Sequence, residues 1–153
     1  MKKSANGNIY DVAAREIGEL YAEHLSGAPL PLVCVVSGSP LSPPARNALE
    51  SSAASLGFGD NSCAFVVVEG ADASLDANSL LSIVEGLDPL RLVAADASAA
   101  HLLSEAYRSP VPLDKPSRLM GRDAVAFTSF EAQLETSQNK QVAWALLKKL
   151  SRL

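Results

Sequence analysis

The sequence predicts one α/β domain, a three-layer α/β/α sandwich around a four-stranded parallel sheet. Three observations carry that expectation. Four short apolar runs alternate along the chain with about five helical stripes, and turn residues separate them. The runs are apolar almost throughout, as in strands covered on both faces. Leu87 to Arg108 passes from strand to helix through a turn of a few residues, the unit from which layered α/β domains are built. The 153 residues suit a single domain with a sizeable core, and 48% apolar against 20% charged residues argues against disorder.

The elements follow in order. Asn8 can cap a first helix, with Asp11 in its first turn and Ile9, Ala13, Ile17, Leu20 and Tyr21 as its buried stripe. Gly27 and Pro29 stop that helix, and His24 near its end reads as a partly exposed histidine. Leu30 to Ser37 is the first strand. Ser37, Gly38, Ser39 and Pro40 then turn the chain, and Ser42 caps a helix that Gly57 and Gly59 end. A glycine turn between strand and helix suggests phosphate binding, but Pro43 and Pro44 remove two of the amides a phosphate needs. No Lys-Ser/Thr pair and no Gly-x-Gly-x-x-Gly accompanies the turn.

Ser62 to Val68 is the second strand, Ala71 to Ala77 a polar loop, and Asn78 to Leu87 a short helix. Leu90 to Ala94 is the third strand, and either Asp96 or Ser98 caps the helix after it. Ser109 to Gly121 reads as irregular and basic, with prolines at 110, 112 and 116. Asp123 to Thr128 is the fourth strand. A last helix spans about Ser137 to Arg152, with Val142, Ala143, Leu146, Leu147 and Leu150 inward and Lys140, Lys148, Lys149 and Arg152 outward.

The net charge of −4 excludes a strongly basic nucleic-acid binder, although a local patch fits within an acidic total. Arg108, Lys115, Arg118 and Arg122 form the candidate patch, suited to weak binding of single-stranded nucleic acid. Cys34 and Cys63 sit inside strand runs, read as small hydrophobes, and are too few for a four-cysteine zinc site or an iron–sulfur site within one chain. No cofactor or metal is expected. No stretch reaches the ~20 apolar residues of a membrane span, and no signal-peptide core follows Lys2 and Lys3, so the cytoplasm is the expected location.

Ligands of parallel α/β sheets sit beyond the carboxyl ends of the strands. The candidate pocket is therefore Ser37, Gly38, Ser39, Pro40, Asp96, Ser98, Ser129 and Phe130, with Glu69, Asp96 and Ser129 as candidate catalytic groups. No histidine or cysteine is placed to activate a serine.

Several of these residues also fall into a known pattern. In DPLRLVAADASAAHLL, Pro89, Val93, Ala99, Ala100, Leu102 and Leu103 match a proline, an apolar strand and an alanine-rich helix with a Leu-Leu pair. Near the C-terminus, a strand is followed by Ala132, Leu134, Lys140, Trp144 and Leu147, with the lysine four residues before the tryptophan. The turn Ser37-Gly38-Ser39-Pro40 stands where the pattern has Gly-Glu-Ala-Pro. Over roughly Leu30 to Leu150 the chain resembles the uracil-DNA glycosylase superfamily, in its bacterial and archaeal iron–sulfur branch. With the high apolarity of the first and third strands, that resemblance implies a strand order of 2-1-3-4.

The departures bear on chemistry. The resemblance implies a water-positioning carboxylate or amide in the first turn, where this chain has Gly38 or Ser39. It implies a histidine that stabilises the departing uracil anion, where this chain has Ser129, and a proline after it, where this chain has Phe130. Asp96 replaces a glycine, and the cluster cysteines are absent. The first expectation is thus a glycosylase-like domain without excision activity that binds nucleic acid or a protein partner. The alternatives are a glycosylase or other hydrolase with chemistry re-sited on Asp96, Glu69 or Ser129, and an unrelated flavodoxin-like or nucleotide-binding domain.

Overall fold

The computed structural model describes residues 9–150, with side chains from Ala14 onward. Asn8, Arg152 and the side chains of Ile9, Asp11 and Ala13 lie outside the described residues. Helix α1 (Ile9–Leu20) leads through a 3₁₀ turn (Ala22–His24) into strand β1 (Leu25–Gly27) and then β2 (Val33–Ser37). Next come α2 (Pro43–Ser55), β3 (Cys63–Val67), α3 (Ala77–Leu87), β4 (Arg91–Ala94) and α4 (Ala97–Tyr107). Strands β5 (Lys115–Leu119) and β6 (Arg122–Ala126) precede α5 (Phe130–Gln133) and α6 (Ser137–Leu147).

The sheet is six-stranded and mixed, in the order β1-β3-β2-β4-β6-β5. This corrects the expected four-stranded parallel sheet. The interior strands β3, β2, β4 and β6 pair in parallel, whereas β1 and β5 pair antiparallel at the two edges. Counted among themselves, the interior four stand as second, first, third and fourth in the chain. Both edge strands lack the pattern that betrays a strand. β1 is Leu-Ser-Gly, too short for any alternation. β5 carries Pro116 opposite Val125, in a segment expected to be irregular. A proline without an N–H is tolerated on an edge strand, and Lys115, Pro116 and Arg118 guard that edge against further pairing.

Alternate residues of each interior strand face opposite layers. Cys34, Val36, Ala64, Val66, Leu92 and Ala94 pack toward α1, α3 and α4. Val33, Val35, Cys63, Phe65, Val93 and Val125 pack toward α2, α5 and α6. Cys34 and Cys63 therefore point to opposite faces of neighbouring strands, and both are free thiols. Burial pushes each up to about 12, so both stay protonated at neutral pH.

Some expected burial fails at element ends. Leu20 is 73% exposed, because α1 stops there and the chain tightens into the 3₁₀ turn. Leu30 and Leu90 are exposed because their strands begin only at Val33 and Arg91. Val142 is 56% exposed, since the inward stripe of α6 runs Ala143, Leu146, Leu147 and Leu150. His24 departs in the other direction. It is buried, and its Nδ1 lies 2.8 Å from the Val67 carbonyl oxygen.

Candidate functional site

The strand order places one crevice at the carboxyl edge of the sheet, between β2 and β4, where the connections diverge to opposite sides. Such a switch point is the usual ligand site of an open α/β sheet. β2 delivers Ser37 and Gly38 to one side, and β4 delivers Asp96 and Ser98 to the other. The helix after β4 begins at Asp96, whose Oδ1 accepts from the Ala99 N–H at 2.8 Å. Asp96, not Ser98, is thus the cap.

The same carboxylate spans the crevice. The Gly38 N–H donates to Asp96 Oδ1 at 3.1 Å and to Oδ2 at 2.9 Å. Gly38 is also pressed against the start of α4. A Cβ there would stand 3.0 Å from Ser98 Cβ, 3.0 Å from Ser98 Oγ and 3.3 Å from Asp96 Oδ1. A side chain at position 38 would press on the start of α4, so that Ser98 and Asp96 would have to give way by a few tenths of an ångström. Asp96 bridges to Ser129 beyond β6 as well, through the Ala97 N–H on the Thr128 carbonyl at 3.1 Å.

Three further carboxylates fasten the surrounding loops. Glu69 Oε2 accepts from the Ser39 hydroxyl at 2.8 Å, tying the turn after β2 to the end of β3. Glu131 on α5 accepts from the Ser42 N–H at 2.7 Å and from its hydroxyl at 2.8 Å. That places a carboxylate at the start of α2, where the helix dipole favours negative charge. Ser42 Oγ in turn caps the Ala45 N–H, so the expected loss of this turn as a phosphate site is reinforced by an anion already present. Asp114 accepts from the Thr128 N–H at 3.2 Å and from its hydroxyl at 2.7 Å. Glu131 and Asp114 were not among the sequence candidates. Each is an isolated acid in a polar stretch, with no spacing that marks its partner.

No protein-family model and no curated protein matches the chain.

The remaining candidates divide between structural tasks. Ser129 Oγ caps α5 by accepting from the Ala132 N–H at 3.2 Å. Phe130 is buried and meets Phe127 edge-to-face at 5.1 Å between centroids. Ser37 is buried, Pro40 is exposed, and the Ser37 carbonyl extends the β2–β3 ladder by accepting from the Val68 N–H. The structure thus brings Gly38, Asp96, Ser98 and Ser129 together, with the Asp96 carboxylate tying the two sides of the crevice.

The basic candidates are differently disposed. Arg122 is only 11% exposed in its side chain and lies at the opposite, amino end of the parallel strands. It donates to Glu85 and Asp88 at 2.6 Å each and to the Pro89 carbonyl at 2.7 Å. Burial works against its charge, but the bonds to Glu85 and Asp88 outweigh it and raise its pKa. Tyr107 joins by donating to Glu85 at 2.6 Å, and burial together with that carboxylate pushes the phenol well above its ordinary value. Arg118 pairs with Asp123 at 2.6 Å. Of the four expected cations, only Arg108 and Lys115 are exposed without an ion pair among the described residues. Arg122 is thus held within the fold, whereas Arg118 pairs with Asp123 while its side chain stays 65% exposed.

Proposed function

We propose that this chain is a uracil-DNA glycosylase-like domain that has lost base excision and works as a binding domain. The carrying observation is the Asp96 carboxylate, committed to the Gly38 and Ala99 amides across the crevice where a substrate would enter. The succession of the four interior strands and the sequence pattern from Leu30 to Leu150 support the family reading. The engagement of Asp96, Glu69 and Ser129 in caps and ties weighs against chemistry re-sited on them, since each already has a partner.

Excision needs an oriented water and donors placed where the leaving uracil becomes anionic, each such group typically contributing ~3 kcal/mol, or about two orders of magnitude in rate. The positions that the resemblance assigns to these groups hold a buried glycine, a serine tied to Glu69 and a serine capping a helix. Incubation with a uracil-containing single-stranded oligonucleotide, followed by alkaline cleavage of abasic sites, gives no strand breaks above a protein-free control. Breaks that vanish in Asp96→Ala or Ser129→Ala would instead establish the re-sited enzyme.

A further inference from the structure

A groove of about 530 Å3 runs between α1 and the edge of the sheet at β1. Ala14, Gly18 and Ala22 line it on the helix side, and Leu25, Ala28 and Leu30 on the sheet side. Leu30 is 55% exposed there, although it is a large apolar residue. The fold thus leaves apolar surface uncovered along this edge.

Gly18 stands in the middle of the helical wall. A glycine inside a helix costs stability relative to alanine, so its presence asks for a reason. Gly86 on α3 has one within the fold, since a Cβ there would stand 2.5 Å from Ile17 Cγ1. Gly18 has none of that kind. A Cβ at Gly18 meets nothing within 4 Å among the described residues. Its bare backbone suits close approach by a chain from outside.

The charges along the groove narrow the choice of that chain. Arg15 and Glu19 are the charged residues that line it. They sit four residues apart on α1, so both project from the same side of the helix. Both are exposed, and neither is in an ion pair among the described residues. Glu16 and Glu23 do not line the groove, and Glu23 lies 3.2 Å from His24. A partner of one sign answers Arg15 or Glu19 and repels the other. A helix that carries the same pair and runs in the opposite direction answers both.

We propose that this groove is a self-association site, in which α1 of a second copy packs antiparallel on α1 and sets each Arg15 against the partner's Glu19. A two-fold contact has this form: the same patch meets itself, and every pairing occurs twice. Gly18 lies beside the axis, where the two backbones come closest.

Sedimentation equilibrium of the full chain, from micromolar to millimolar concentration, tests it. A monomer–dimer equilibrium is expected. Arg15→Glu and Glu19→Arg each place like charges together at both contacts, and each weakens the dimer at least about tenfold. The double variant R15E/E19R restores opposite pairs and returns the affinity to within about threefold of the parent. Gly18→Leu projects a side chain into space that is open in the monomer, so the chain folds and the dimer is lost. Circular dichroism and the melting temperature of dilute samples show that each variant keeps the fold. A chain that stays monomeric throughout overturns the inference. So does a dimer indifferent to the single swaps or to Gly18→Leu, and so do single swaps that the double variant fails to rescue.

Discussion

Replacing Asp96 by alanine lowers the stability of the fold by about 3 kcal/mol. Two losses combine. The cap on the Ala99 N–H is worth about 1 kcal/mol. The Gly38 N–H, in a buried turn, is left without an acceptor, which costs about 1–3 kcal/mol. For a domain of this size the melting temperature falls by roughly 6–12 °C. Asp96→Asn is the informative companion. Its amide oxygen still caps Ala99 and can reach one side of the Gly38 amide, so it costs about 1 kcal/mol. Urea unfolding of the three proteins checks both values. An alanine variant as stable as the parent would mean that the seam is incidental.

Arg122→Met costs about 2–3 kcal/mol. The arginine ties the end of α3 to the start of β6 by two charge-assisted bonds and one to a backbone carbonyl. Bonds to charged groups typically contribute ~1.5–3 kcal/mol each, but Glu85 and Asp88 are exposed enough to regain water once it is gone. Methionine keeps the apolar stem, so the loss measured is mainly that of the guanidinium. Tyr107→Phe removes one bond to the same Glu85 and costs about 1 kcal/mol. Because the two side chains share that carboxylate, the double variant is less destabilised than the two single effects combined. Strict additivity in the unfolding data would show that the residues act separately.

How much of this was legible in the sequence differs from element to element. The interior strands were visible because burial on both faces makes them apolar residue after residue. The starts of α2 and α4 were visible because Ser42 and Asp96 are side chains that cap. The edge strands were not, because β1 is three residues long and β5 is built from residues that suit an edge and equally suit a loop. For the candidate site, the sequence grouped Gly38, Asp96, Ser98 and Ser129 correctly at the carboxyl edge. It could not show that Asp96 points across the crevice and ties its two sides, since one residue type serves both as cap and as acid. The ties of Glu131 to Ser42 and Asp114 to Thr128 were illegible, because nothing local connects residues 89 and 14 positions apart. The pairing of the basic loop was illegible for a related reason. Arg118 and Arg122 look free in sequence, and only the fold brings Asp123, Glu85 and Asp88 to them.

The central claim is that the Asp96 carboxylate holds the Gly38 amide and ties the two sides of the crevice between β2 and β4. Amide hydrogen exchange at Gly38, read by NMR in the native state, tests it most directly. Exchange of a turn amide bound to a carboxylate in a buried seam requires an opening that costs several kcal/mol, comparable to the interior strands, and Asp96→Ala removes that protection. If the Gly38 amide of the unmodified protein exchanges as fast as an exposed loop amide, the carboxylate is free, the two sides are untied, and the account is contradicted.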